Sequence, residues 1–408
     1  MGRRKDNYVV GLDIGTRKTC AIIAEVNEAG GLDIIGIGPA ESRGLKRGVV
    51  VNLDATVDSI RKAVEEAELM AGVAIDSAYI GIAGNHIKSF NSRGVIAVGG
   101  KSREIVREDV QRVIEAAKAV AIPADREILH VLPQEFIVDE TDGIADPIGM
   151  SGTRLEVNAH IVTSSMTSTQ NLITCVNRAG LAVADMVLET LACSETILTN
   201  DEKDLGVALI DIGAGTTDLA IFEKGSICYT YVLPIGGDNF TNDIAIGLRT
   251  GHAEAEKIKK KHGCAVSTLV SDEETFEVPG MGGKKPRILS RQILCEIIEP
   301  RAAETFNLLH EETKRAGYER SLNSGVILTG GGALLEGMPE AAEQIFDLPV
   351  RRGSPTSVGG LVDAISSPMY STAVGLLLFG YRNNVNKARM KSAAGTFNRF
   401  KIWIRELI

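Results

Sequence analysis

The chain has 408 residues, 44% hydrophobic and 24% charged, enough to bury a large core and to split into more than one domain. Its net charge of −9 is uneven: from Tyr381 onward seven Lys/Arg face one Glu, +6, so the rest carries −15. A body that acidic argues against nucleic-acid binding, and no apolar stretch is long enough to span a bilayer.

Met1 to Lys5 is basic, but no hydrophobic region of signal length follows, so no signal peptide is expected. The apolar run Tyr8 to Leu12 reads as a buried strand. It leads into Asp13-Ile14-Gly15-Thr16-Arg17-Lys18-Thr19 and then into apolar Cys20 to Val26. A strand–glycine turn–strand brings backbone N–H groups close to a ligand without Cβ obstruction, which suits phosphate oxygens. Lys18 can reach such phosphates as a point charge, or it is a solvated turn lysine. A helix is expected over Asp54 to Ala71, with Asp54 as N-cap and Val57, Ile60, Val64 and Ala67 on one face.

Residues 86–163 change character and read as a small α/β module. Strand signals at 94–100, Ile128 to Val131, Phe136 to Val138 and Leu155 to Val162 surround a helix over Glu108 to Val120. Gly94 to Ser102 looks like a P-loop but has one glycine too many before its lysine, so it is discounted. Helices follow over Thr167 to Ala179, ended by Gly180, and over Glu189 to Leu198. Glu189 opens the second of these helices, where a carboxylate complements the helix dipole.

The first motif then returns. Val207 to Ile210 is too short for a helix and reads as a buried strand, followed by Asp211-Ile212-Gly213-Ala214-Gly215-Thr216-Thr217-Asp218 and apolar Leu219 to Phe222. Asp211-Ile212-Gly213 repeats the register of Asp13-Ile14-Gly15, 198 residues on. Thr216 and Thr217 add hydroxyl donors, and Asp13 and Asp211 can hold a phosphate-bound Mg²⁺ through water. Ala253 to Gly263 reads as a charged helix ended by Gly263, and Thr275 to Pro286 as a loop. A third glycine turn, Gly330-Gly331-Gly332, follows the strand Val326 to Thr329. Three such turns suggest a duplicated α/β fold clamping a nucleotide between its halves. Tyr370 to Phe379 reads as a small-residue apolar helix, and Arg382 to Ala394, polar and aperiodic, as a linker of roughly 20 Å.

In the last segment Phe397, Phe400, Trp403, Ile404, Leu407 and Ile408 fall within about 140° of a helical arc, with Ile402 outside it. Arg399, Lys401 and Arg405 flank that face, where their stems can snorkel toward headgroups. So short a helix cannot cross a bilayer but can lie in an anionic surface. Docking on the chain's own body or on a partner is the competing use. The six cysteines show no CxxC pair and sit mostly in apolar stretches, as buried thiols of a cytoplasmic protein would. Zinc and serine-hydrolase motifs are missing.

The order of the three glycine turns resembles the phosphate and adenosine motifs of the actin-like ATPase superfamily. Gly44-Leu45-Lys46-Arg47-Gly48, Ile298-Glu299-Pro300-Arg301 and the tail are similar to the FtsA cell-division family. The resemblance implies an actin-like fold binding ATP and Mg²⁺ through Asp13, Gly15, Thr16, Arg17, Lys18, Asp211, Gly213, Gly215, Thr216, Thr217, Gly330, Gly331 and Gly332. It also implies Glu256 and Lys260 at the ribose, with a solvated helix face as the alternative. Glu189 would position the attacking water, with at most weak ATPase activity. It divides the chain into a first half (1–85, 164–200 and the closing helix 366–381), an inserted subdomain (86–163) and a second half. That second half comprises 201–243, 244–320 and 321–365, and a linker (382–395) and membrane helix (396–408) follow. The implied partners are the FtsZ tail, at Arg301 unless that side chain serves a structural ion pair, further copies of the chain in a polymer, the membrane, and later division proteins. The implied place is the cytoplasmic side of the membrane at the septum. A PilM-like pilus adaptor, a small-molecule kinase and an MreB-like filament protein share the turns, but the basic amphipathic tail fits the first two less well, and residues 86–163 the third.

Overall fold

The computed structural model describes residues 8–99, 103–279 and 285–392, with side chains up to residue 385. Two sheets repeat one topology. The first runs, in order, Ala182–Leu188, Ser77–Ile82, Tyr8–Ile14, Lys18–Val26, Leu32–Glu41 and the short Gly359–Gly360. The second runs Val350–Arg352, Val326–Thr329, Val207–Ile212, Thr217–Glu223 and Ser226–Leu233. In each sheet a central strand pairs antiparallel with its successor and parallel with a later strand on its other side. The two central strands are Tyr8–Ile14 and Val207–Ile212, which end on the two Asp-Ile pairs and are buried almost throughout. Burial on both faces is why they read as unbroken apolar runs rather than alternating ones. The fold is α/β and duplicated, as the sequence implies.

The chain crosses between the halves twice. Helix Glu189–Ile197 leads out of the first half; the chain returns to it at Gly359–Gly360, which pairs with Asp33 and Ile34, and helix Ser371–Ser392 then packs there. Buried Ala192 of one and Ala373, Val374, Leu376 and Leu377 of the other share one core. The long helix Arg291–Arg315 lies in the second half's core through Leu294, Ile298, Ala302, Phe306 and Leu309, despite an internal Pro300.

Residues 88–165 form a module of their own. Strands Lys88–Ala97, Arg154–Ser165, Arg126–Val138 and Thr141–Ile144 make an antiparallel sheet. Helix Arg107–Lys118 covers one face, and Val110, Val113, Ile114, Leu155 and Val157 fill the space between. The sheet's other face mixes polar Asn91 and His160 with apolar Leu132 and Val162 and lies against Ser226–Leu233, the edge strand of the second half.

Three expectations need correction. Within the loop expected over Thr275 to Pro286, Thr275–Val278 is a strand paired antiparallel with Arg287–Ser290. The helix expected from Asp54 starts at Leu53, and its N-cap is Asn52, whose side chain accepts from the Ala55 amide. Either residue type caps well, and the extended backbone at Asn52 decides between them. The expected linker from Arg382 to residue 395 is helical through Ser392. No glycine or proline interrupts residues 381–392, and Lys, Arg, Ala and Met are good helix formers, so the buried part of the helix propagates. The amphipathic segment 396–408 lies outside the described residues. Among the described residues no helix is long and apolar enough to cross a membrane.

Candidate functional site

The two Asp-Ile-Gly turns close in the same way. Gly15 N donates to Lys18 O at 2.9 Å, and Gly213 N donates to Thr216 O at 2.9 Å. The turns face each other across a cleft of about 670 Å³ between the halves. They also touch: a Cβ on Gly215 would lie 2.7 Å from Thr16 Oγ1 and 2.9 Å from Arg47 Cα. Glycine at 215 therefore serves the meeting of the halves. The third turn lies against the second. Gly330 has φ +83, and a Cβ there would come within 2.2 Å of Asp211 Oδ1, whereas one on Gly331 would meet no atom within 4 Å. Gly330 is fixed by the protein, and Gly331 faces open space.

Of the carboxyl groups lining the cleft, Asp13, Glu189, Asp211 and Asp218 form a buried cluster. Burial pushes Asp211 up to about 6, with the Asp13 charge adding to the effect. Burial and the neighbouring Asp211 push Asp218 up to about 7, although its Oδ2 accepts from Thr216 Oγ1 at 2.9 Å. Glu189 lies well above the ordinary range because of burial and then the charges of Asp13, Asp218 and Asp211. Burial likewise raises Asp13, against the pull of Lys18 Nζ at 3.3 Å. Carboxyls so crowded take up protons unless a cation joins them.

The cations are mostly engaged by protein groups. Lys18 donates to Met369 O, pairs with Asp13, and lies 4.6 Å from the Tyr370 ring centre. Arg17 Nε donates to Asp238 Oδ1 at 2.8 Å, joining the first half's turn to the helix Gly237–Leu248 of the second. On helix His252–His262, Glu256 pairs with Lys259 at 2.7 Å and with Lys260 at 3.3 Å. Burial opposes ionisation of Glu256, but Lys259 and Lys260 take its carboxyl down to about 2.

A family model described as cell division protein FtsA matches residues 208–375, and one described as the SHS2 domain inserted in FtsA matches residues 84–163. Cell division protein FtsA of Pseudomonas aeruginosa is 48% identical over 407 residues, covering 97% of each chain. The chain belongs to the FtsA family. FtsA of Neisseria meningitidis is 43% identical, over 98% of this chain and 99% of its own. Among solved structures, a PilM–PilN type IV pilus biogenesis complex superposes with TM-score 0.67 at 16% identity, covering 91% of this chain and 98% of that one. MreB5 of Spiroplasma citri bound to ADP superposes with TM-score 0.56 at 17% identity, covering 94% and 99%. The fold is therefore the actin-like ATPase fold, carrying the FtsA-type insert.

In this FtsA-family chain the cleft gathers the expected Asp13, Gly15, Thr16, Arg17, Lys18, Glu189, Asp211, Gly213, Gly215, Thr216, Glu256, Lys260 and Gly330 to Gly332. Thr217 is the exception. It opens the next strand, is fully buried, and donates its hydroxyl to Ile235 O at 2.8 Å. The alternation of strand side chains turns it away when Thr216 faces in. Asp218 and Lys259 line the cleft without having been singled out as site residues. Asp218 follows from the same alternation, two residues after Thr216. Lys259 is the chain neighbour of Lys260, about 100° away around the helix, and it is the more buried of the two, with side chains 14% and 73% exposed. Arg301 forks onto Asp243, with Nε to Oδ2 at 2.6 Å and Nη2 to Oδ1 at 3.2 Å, and also pairs with Glu304. This is the competing structural use expected for it.

Proposed function

We propose that this chain binds ATP with Mg²⁺ in the cleft and acts as a membrane-anchored, actin-like adaptor of bacterial cell division. In this reading it tethers FtsZ to the inner face of the cytoplasmic membrane at the septum, polymerises there, and recruits later division proteins through residues 86–163. The observation that carries the nucleotide part is the pair of identically closed glycine turns facing each other across one cleft.

The donor set fits the ligand. The open side of Gly331 leaves room beside the third turn for a base and sugar. Glu256, held ionised by Lys259, can accept from ribose hydroxyls. Among the described residues no group of three or more His, Cys, Asp and Glu forms a direct metal cage, so Asp13 and Asp211 would hold Mg²⁺ through water. Bound there, Mg²⁺ would neutralise phosphate charge. The carboxyl cluster then gains a cation, which favours ionised Asp211, Asp218 and Glu189. Only as a carboxylate can Glu189 orient an attacking water, so little hydrolysis is expected without the metal.

For FtsZ, the helices bearing Asp243 and Arg301 offer mixed chemistry. Ile246, one turn after Asp243, is 68% exposed beside the Arg301 fork. A peptide carboxylate reaching Arg301 must compete with Asp243 and Glu304. The anchor is the segment 396–408, with Phe397, Phe400, Trp403, Ile404, Leu407 and Ile408 toward the lipid and Arg399, Lys401 and Arg405 at the headgroups. Each basic residue near an anionic surface contributes on the order of 1 kcal/mol, and polymerisation multiplies weak anchors into avidity.

The test is flotation of labelled FtsZ with anionic vesicles, using the full chain and a form ending at Ala394. FtsZ should float only with the full chain. If the chain floats and FtsZ does not, the tether role is wrong; if neither floats, so is the anchor.

A further inference from the structure

The glycine turns account for phosphate binding, and phosphates are common to every nucleoside triphosphate. A group that selects the base must lie further along the cleft. Helix His252–His262 runs that way: from Glu256, the proposed ribose acceptor, to Gly263 at its C-cap is seven residues, about 10 Å of rise. Gly263, Leu335 and Glu336 line the cleft there. Backbone ties them together, since Ala265 N donates to Glu336 O at 2.7 Å and Cys264 forms a parallel bridge with Glu336. Glu336 follows the third glycine turn by four residues. This wall therefore joins the turn that would lie beside the base to the helix that would lie beside the sugar.

One side chain outside the cleft fixes this wall. Arg291, the first residue of helix Arg291–Arg315, has a side chain only 14% exposed and bonds to three separate elements. Its Nε donates to His262 O at 2.7 Å, at the C-terminal end of helix His252–His262. Nη1 donates to Glu274 Oε2 at 2.8 Å, and Nη2 donates to Glu336 Oε2. A guanidinium presents its N–H groups in a rigid plane, so three acceptors met at once leave Arg291, and with it Glu336 Oε2, little freedom to move. The Glu336 side chain is 53% exposed, and among the described residues no group bonds to its Oε1. One oxygen is thus pinned by a buried arginine, and the other stands at the cleft wall as an acceptor that cannot swing away.

We propose that Glu336, held by Arg291, reads the base and selects adenine over guanine. Adenine carries an exocyclic amine at the position where guanine carries a carbonyl oxygen. A carboxylate that only accepts takes the first as a donor and repels the second. Losing a hydrogen bond to a charged group, with oxygen left facing oxygen, is enough for a preference of about tenfold even at a half-exposed site. Arg291 touches no ligand and acts through Glu336 as a positioning residue. The inference rests on the proposed nucleotide reading of the cleft and adds to it the choice of base.

The test is calorimetric titration of the full chain with ATP·Mg²⁺ and with GTP·Mg²⁺, in the parent, in Glu336→Gln and in Arg291→Met. The readout is the ratio of the two affinities, which a merely structural loss, weakening both nucleotides alike, would not move. The parent should bind ATP·Mg²⁺ about tenfold or more tightly than GTP·Mg²⁺. Glu336→Gln keeps the shape but can turn an amide N–H toward the ligand, as a carbonyl oxygen requires, so the ratio should fall below about threefold or invert. Arg291→Met should lower the ratio likewise, because the carboxylate is then free to swing away. A parent that binds both nucleotides within about threefold of each other, or Glu336→Gln with the parent's ratio, overturns the reading of the base by Glu336. Arg291→Met with the parent's ratio overturns the positioning role. If that variant does not fold, Arg291→Lys, which keeps the charge but loses the planar fork, takes its place under the same expectation. If the parent binds neither nucleotide, the nucleotide reading itself fails and the choice of base falls with it.

Discussion

The two Asp-Ile-Gly turns share a backbone and differ in charge. Asp13 to Lys18 brings two cations, while Asp211 to Asp218 brings a second acid and two hydroxyls, one of which faces the cleft. The closing bond is the same 2.9 Å contact in both. Duplication thus preserved the geometry that presents amides, and divergence made one turn cationic and the other acidic. The difference joins the halves, since Arg17 of the first turn holds Asp238 of the second half. Acids without cations of their own are left in the second turn, and there the cleft can respond to a bound cation.

The sharpest way to break the comparison uses the third turn. Gly330→Val should abolish ATP binding and destabilise the chain by about 3 kcal/mol, because its side chain strikes Asp211 in a left-handed backbone. Gly331→Val should leave stability within about 0.5 kcal/mol yet still weaken ATP binding, because its side chain enters open cleft. Denaturant melts paired with ATP titration separate the two.

A smaller effect tests the acidic turn. With its carboxyl raised to about 7 from an ordinary 3.8, Asp218 keeps its proton in the folded chain where the unfolded chain has lost it. Folding therefore loses stability as pH rises through about 4 to 7, and the loss is complete above 7. Asp218→Asn removes this loss. In the absence of nucleotide its Tm should exceed the parent's by about 3 °C at pH 8, with the gap closing by pH 4. A gap that is constant with pH would show that Asp218 does not titrate there.

The smallest effect separates adjacent threonines. Thr217→Val should cost about 1 kcal/mol through its bond to Ile235 O, with ATP affinity unchanged. Thr216→Val frees Asp218 Oδ2 and should change ATP affinity instead.

Much of this site was legible because its signals are local. A short apolar run ending in Asp-Ile-Gly identifies a buried strand and a glycine turn within eight residues, and the repeat of that pattern points to the duplicated fold. Thr217 and Lys259 were not legible, since each depends on which way a side chain faces once its strand or helix is packed. The seating of Ser89, Asn91 and His160 on Thr230 and Cys228 joins residues 70 to 141 positions apart, and no local pattern announces it. The end of the last helix departs from expectation for another reason: polar composition suggests a linker, but no breaker residue stops a helix already anchored by Ala373 to Leu377.

The central claim is that the paired turns clamp a nucleotide with its metal. It is tested most directly by titrating a fluorescent ATP analogue into the full chain, with and without Mg²⁺, in the parent and in Asp13→Asn/Asp211→Asn. One saturable site, tightened by Mg²⁺ in the parent and insensitive to it in the double variant, is the predicted result. A parent that does not bind, or a double variant with the parent's full Mg²⁺ dependence, would contradict it.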